Sequence, residues 1–148
     1  MDIQKVTLNN LDELATLFDG YRVFYKEKSD LSGAQKFLKE RIENKDSEIF
    51  TSFNDAGIMT GFVQLYPIFS STRMKRLWLL NDLFVHPNYR GQGFSIALID
   101  KAKELCNTSE SCGMILETAK SNLIGNKLYP RTGFCLDTDH NYYYWDTK

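Results

Sequence analysis

Leu79-Leu80-Asn81-Asp82-Leu83-Phe84-Val85-His86-Pro87-Asn88-Tyr89-Arg90-Gly91-Gln92-Gly93-Phe94-Ser95-Ile96-Ala97-Leu98 is the stretch whose reading decides how this chain folds. It runs as an apolar strand, a tight turn at His86-Pro87-Asn88, and an Arg-Gly-x-Gly segment that opens a helix. The first N–H groups of a helix have no partner inside it and carry the positive end of its dipole, so this order builds a cradle for a pyrophosphate. Gly91 and Gly93 let the main chain approach phosphate oxygens with no Cβ in between. Arg90 adds a permanent cation with several donors. The ligand implied is a phosphorylated cofactor.

Composition sets the frame around that stretch. The chain has 148 residues, 43% hydrophobic and 14% aromatic, enough for one domain with a real core. Its net charge of −1 lacks the basic footprint of a general nucleic-acid binder. Three cysteines, Cys106, Cys112 and Cys135, show no CxxC spacing and read as reduced thiols. No apolar run approaches the roughly 20 residues that cross a bilayer, and residues 1–5 hold no signal-peptide core. A soluble, cytoplasmic protein with no membrane or nucleic-acid partner is expected.

Working outward, residues 3–8 read as a first strand, and Asn10 with Glu13 as a capping box for a helix bearing Leu11, Leu14, Leu17 and Phe18. Gly20 lies near that helix's expected end. A second helix is expected after a Ser32 cap, with Phe37, Leu38 and Ile42 facing inward. Residues 48–53 and 58–66 read as strands joined by the turn Asn54-Asp55-Ala56-Gly57. Residues 67–75 read as a loop and 76–85 as the next strand. A helix over 94–106 offers Ile96, Leu98, Ile99, Ala102 and Leu105 for burial. Residues 113–118 read as a strand parallel to 79–85, because a helix intervenes. A short helix over 124–131 comes next, and residues 134–136 with 142–145 read as a closing antiparallel pair. The expected class is a single mixed α/β (α+β) domain over residues 1–148, its central sheet flanked by about four helices.

Two phosphate-binding folds fail on the residues. A dinucleotide fingerprint needs Gly or Ala where Ile96 stands, and no GKS or GKT supplies a P-loop. The constellation instead resembles the GNAT superfamily of acyl-CoA-dependent N-acetyltransferases, through Asn81-Asp82-Leu83-Phe84-Val85, Tyr89-Arg90-Gly91-Gln92-Gly93, Ser121-Asn122 and Leu128-Tyr129-Pro130-Arg131-Thr132-Gly133-Phe134. Arg90 and Gly93 match that family's phosphate motif, and Ser95 stands at its last small position.

The resemblance implies a mixed sheet with a splayed parallel strand pair and acetyl-CoA as co-substrate. It implies main-chain contacts to the pantetheine arm at Leu83, Phe84 and Val85, and pyrophosphate contacts at Gly91, Gln92, Gly93, Phe94, Ser95 and Ile96 beside Arg90. Asn122 would reach the cofactor beyond the splay, and Tyr129 would lie near the thioester sulfur. Many members are dimers, so a homodimer is one expected form.

Amide formation needs an amine stripped of its proton and a departing thiolate given one. Tyr129, a phenol that keeps its proton at neutral pH, is the matched acid; packing against the last strands is the alternative reading. Some relatives, polyamine enzymes among them, carry Glu-Asp where this chain has Asn81-Asp82. Asn81 accepts no proton. Asp82 either serves as base through water, orients a cationic amine, pairs with a neighbouring Lys or Arg, or caps a local turn. Tyr21, Arg22 and Tyr25 fall where such folds border the acceptor. His86 and His140 read as turn and loop residues outside any metal-ligand spacing, and no metal is expected.

The expected activity is acetylation of a small-molecule primary amine, such as a polyamine, a diamine or an amino-acid-like amine, by direct attack in a ternary complex. Acetylation of a protein lysine or N-terminus, and a CoA-binding regulatory module without turnover, are the other two readings.

Overall fold

The computed structural model describes residues 1–148. Two compact units emerge, Met1–Glu117 and Thr118–Lys148. The first contains the whole sheet. In chain order it holds β1 (Asp2–Lys5), α1 (Leu11–Phe24), α2 (Leu31–Asn44), β2 (Glu48–Phe53), β3 (Met59–Ser70), β4 (Lys75–Val85), α3 (Phe94–Thr108) and β5 (Met114–Ile115). The strands lie in the order β1-β2-β3-β4-β5. Neighbours are antiparallel except β4 and β5, which run parallel.

The parallel pair is short. Only Trp78↔Met114 and Leu79↔Ile115 are in register, while β4 continues for six more residues to Val85. The expected strand over 113–118 therefore shrinks to two residues, and the two strands part beyond them. This is the splayed mixed sheet that the family resemblance implies.

Burial in β3 explains the layering. Seven consecutive residues, Met59 to Leu65, are buried, and adjacent strand residues point to opposite faces, so both faces of the sheet are covered. On one face Leu14, Leu17 and Phe18 of α1, Leu38 of α2, Ile49, Phe62 and Phe84 form a continuous apolar cluster. Phe18 stacks on Phe37 at 5.7 Å. α3 packs on β2, β3 and β4, with Phe94, Leu98, Ile99 and Ala102 buried at helical spacing. Ile96 falls off that stripe and is exposed, against the expectation of burial.

Other boundaries moved for local reasons. The reciprocal cap is Thr7 with Asn10, around a single 3-10 turn, rather than Asn10 with Glu13. The Glu13 carboxylate instead accepts from the Met59 N–H at 3.1 Å. α1 runs through Gly20 to Phe24. Asp30, not Ser32, caps α2, accepting from the Gly33 N–H at 2.9 Å. β3 extends four residues into the expected loop, because residues 67–70 pair with the start of β4. Pro67 is tolerated there because its partner Trp78 turns its own N–H to Gly113, making this a non-hydrogen-bonded pair.

The second unit contains α4 (Leu123–Arg131). Gly133 ends it in a left-handed conformation (φ 93°), with Phe134 N–H bonded to the Tyr129 carbonyl and Gly133 N–H to that of Pro130. The expected closing strand pair is absent. Asp137 closes a turn on Asp139 and His140, but no ladder joins its flanks, and Tyr142 to Trp145 are exposed. Aromatic residues favour strands only where a neighbouring strand gives them a surface to pack on.

Candidate active site

The site begins with one extra residue in β4. Gln64 pairs with Asp82, but the next residue, Leu65, pairs with Leu80, so Asn81 has no partner and forms a β-bulge. A single inserted residue reverses both the face and the hydrogen-bonding parity of the residues beyond it. Before it, Trp78 directs its main-chain N–H to Gly113 of the neighbouring segment (3.1 Å), and its indole donates to Ser109, the C-cap of α3, at 2.9 Å. Beyond it, the His86 N–H turns to Thr60 (2.8 Å), and Phe84 packs against Phe62 and against Tyr21 of α1.

Ladder alternation then assigns the main chain. Phe84, two residues before His86, directs its polar groups to β3, whereas those of Leu83 and Val85 turn to the edge where β5 has parted. The close approach on the β3 side requires Gly61, whose added Cβ would lie 2.6 Å from the Phe84 carbonyl oxygen. Of the three residues the resemblance assigns to the pantetheine arm, Leu83 and Val85 present main chain to the open edge. Phe84 presents a ring on the α1 face.

The bulge also buries a carboxylate. Asp82 is 4% exposed. Gln64 Nε2 donates to Oδ2 at 2.7 Å, Asn81 Nδ2 to Oδ1 at 3.1 Å, and the Tyr21 hydroxyl is a further donor. None of these partners is charged. Burial pushes the Asp82 carboxyl above the usual range, and the bonds from Gln64, Tyr21 and Asn81 pull against it. Its field reaches two neighbouring phenols: burial, then Asp82, raises Tyr25, and together with lesser influences lifts Tyr66 to about 12. Arg22 has a structural role, donating to the Lys28 carbonyl at 3.0 Å and pairing with Asp19.

The cradle lies next along the chain. His86 Nδ1 accepts from the Asn88 N–H, closing the turn, and Gly91 and Gly93 both adopt positive φ, 75° and 87°. Gly93 is the N-cap of α3 and gives it no side-chain cap; the Ala97 N–H bonds the Gly93 carbonyl to begin the helical ladder. The amides of Phe94, Ser95 and Ile96 thus form an uncapped first turn, and nothing stands within 4 Å of where a Gly91 Cβ would be. These residues, with Gln92 exposed beside them, fit a pyrophosphate. Arg90 does more than add charge: Nε donates to the Val85 carbonyl at 3.0 Å, and its guanidinium lies over the rings of Phe24 (5.3 Å) and Phe84 (5.6 Å).

In the second unit, Asn122 caps α4. Its Oδ1 accepts from the Gly125 N–H at 3.1 Å and its Nδ2 donates to Thr118 Oγ1 at 2.9 Å. Tyr129 packs edge-on to Phe134 at 5.7 Å. Sequence reading singled out Asp82 and the 90–96 turn as candidates, and gave no place to Gln64, which bonds Asp82, or to Gly61, which lies against Phe84. The available signal was an amide and a glycine inside the otherwise buried run Thr60-Gly61-Phe62-Val63-Gln64-Leu65.

Comparison with known proteins agrees with this architecture. The family model described as "Acetyltransferase (GNAT) family" matches residues 12–134. An uncharacterized N-acetyltransferase, YhfO of Bacillus subtilis (strain 168), is 39% identical over 143 residues, covering 97% of this chain and 95% of that protein. A probable acetyltransferase of Haemophilus influenzae is 30% identical over 121 residues, covering 82% and 83%. The crystal structure of a probable acetyltransferase superposes with a TM-score of 0.95 at 36% identity, covering 100% of this chain and 99% of that one. The chain is an acyltransferase enzyme and belongs to the GNAT family of acetyltransferases.

Proposed function

We propose that this enzyme acetylates the primary amine of a small molecule by direct attack in a ternary complex, with all 148 residues acting as one catalytic domain. The family's co-substrate, acetyl-CoA, supplies an activated acetyl thioester. In this reading the amides from Gly91 to Ile96, with Gln92, hold its pyrophosphate, Leu83 and Val85 bond its pantetheine arm, and Asn122 contacts it further on. Phe84 adds an apolar wall.

The observation that carries the acceptor class is Asp82, a buried carboxylate with neutral partners only. A cationic amine is the charge it lacks, and desolvation makes that attraction worth far more than on the surface. Aromatic rings support the same reading. Tyr21 and Tyr25 pack edge-on at 5.0 Å beside Asp82, and ring faces attract cations, as Arg90 over Phe24 and Phe84 already illustrates. Asp82 then takes one proton from the amine, directly or through water, so that the neutral nitrogen attacks. One proton must reach the leaving sulfur, and Tyr129 is assigned as its donor on the strength of the family motif.

Thermal melts with acetyl-CoA, combined with a panel of amines read as free CoA, test this. Acetyl-CoA at about 100 times its dissociation constant should add about 2.7 kcal/mol of stability. Absence of stabilisation would end the cofactor assignment. Turnover on peptides but not on diamines or polyamines would move the acceptor to protein, and binding without turnover on either would leave a CoA-binding module. Tyr129→Phe should lower kcat while leaving acetyl-CoA stabilisation intact; undiminished turnover would remove Tyr129 from the acid role.

A further inference from the structure

One buried group stands outside the chemistry of acetyl transfer. Gln64 sits in the middle of β3 with no solvent exposure, in a buried run, Met59 to Leu65, otherwise made of apolar or small residues. Leucine would fill such a position without a polar group to satisfy. The amide is nevertheless bonded at both ends. Ser47, just before β2, donates its hydroxyl to Gln64 Oε1 at 2.9 Å, and Gln64 Nε2 donates to Asp82 Oδ2 at 2.7 Å.

An amide can flip, and the two orientations are opposite for a carboxylate. With Nε2 toward Asp82 it donates to the anion; with Oε1 there it repels it. The acceptor-only carboxylate selects the Nε2-inward orientation, and Ser47 anchors that amide by donating to the far end. We propose that Ser47 and Gln64 form a positioning relay, crossing from β2 through β3 to β4, that fixes the orientation of the Asp82 carboxylate and favours its ionised form. The relay rests on the reading of Asp82 as the acceptor-facing carboxylate. Neither residue touches substrate; both act through Asp82.

The surroundings supply the anion with neutral donors only, this relay among them. From α1, Tyr21 donates to Asp82 and Tyr25 lies within its field; from β3 come Gln64 and Tyr66; from β4, Asn81. Arg41 of α2 and Asp46 ahead of β2 act on Tyr66 with opposite signs. No lysine or arginine bonds to Asp82. The Gln64 contact, at 2.7 Å, is shorter than that from Asn81 at 3.1 Å.

The test separates the relay from the reaction. Asp82 is tracked by carbon-13 NMR of aspartate carboxyls, assigned with Asp82→Asn, in the wild type, Gln64→Leu, Gln64→Met and Ser47→Ala. Losing a charge-assisted donor should raise the Asp82 titration by about one pH unit in either Gln64 variant, and by less in the same direction in Ser47→Ala. The acid limb of kcat/KM should move with it, activity returning at higher pH. Should one Gln64 variant fail to fold, the other and the half-buried Ser47 position still give the measurement. A titration unmoved in every folded variant overturns the relay. A titration that moves while the pH–rate profile stays fixed supports the relay and removes Asp82 from the proposed proton transfer.

Discussion

The two halves of β4 carry similar apolar sequence, yet they do different work. Residues 75–80 pair with β3, Trp78 and Leu79 pair with β5 as well, and Trp78 and Leu80 are buried. Residues 82–85 pair on one side only, bury a carboxylate, and turn two main-chain units to an open edge. One unpaired residue, Asn81, separates them. On the proposed assignment of Asp82, the bulge divides stability from chemistry within a single strand.

That division can be broken by substitution. The largest effect belongs to Asp82→Ala, for which kcat/KM should fall by about 100-fold or more if the carboxylate handles the amine proton. The melting temperature should change far less than the activity, and a large loss of both would mean the carboxylate is chiefly structural. Leu80→Ala, two residues earlier, should behave in the opposite way. Stability drops by about 2–5 kcal/mol in denaturant titrations, while kcat/KM per folded molecule is preserved.

Gly61→Val tests the junction between the halves. Its Cβ would displace the Phe84 carbonyl, costing about 1–3 kcal/mol, and should weaken acetyl-CoA binding because the Leu83–Val85 edge moves with it. Intact cofactor affinity would mean that edge does not hold the pantetheine arm. The smallest effect is that of Trp78→Phe, which removes the donor to Ser109 and should cost about 1 kcal/mol, with kinetics unaltered.

Acidity sharpens the same contrast. The Asp82 carboxyl is raised in the folded protein, so its stabilising share is complete below its unfolded value near 4 and is lost as pH rises through the higher folded value. Asp19 runs the other way. Bonds from Ser29 and the Asp30 N–H lower it, so its share is present at neutral pH and lost as acid protonates it. The stability of wild type relative to Asp82→Asn should therefore fall with rising pH, and relative to Asp19→Asn it should fall with falling pH. Melts of the three proteins across pH 3–8 would reveal a reversed sign.

Legibility tracked the range of the interactions. The glycine turn into α3 could be read because Gly91 and Gly93 act within a few residues of one another, through positive φ angles and an uncapped first turn. The helix faces of α1 and α3 could be read from spacing, although Ile96 shows that an apolar residue off the stripe is left outside. The bulge could not be read, because Asn81 is extra only relative to β3, whose Gln64 and Leu65 lie 15 or more residues away in the chain. The same is true of the length of β3, of Ser47 and Gln64 behind Asp82, and of Gly61 beneath Phe84. The tail Tyr142-Tyr143-Tyr144-Trp145 has the composition of a strand and no partner with which to become one.

By itself the sequence determined the family, the positive-φ glycine turn that opens α3 and the presence of a carboxylate on β4, since each depends on residue type at short spacing. Tertiary structure alone decided that Asn81 is a bulge, that Asp82 is therefore buried facing α1, and that its partners are neutral. Pairing register across a sheet is set by contacts between distant segments, and one step of register decides which side chains meet.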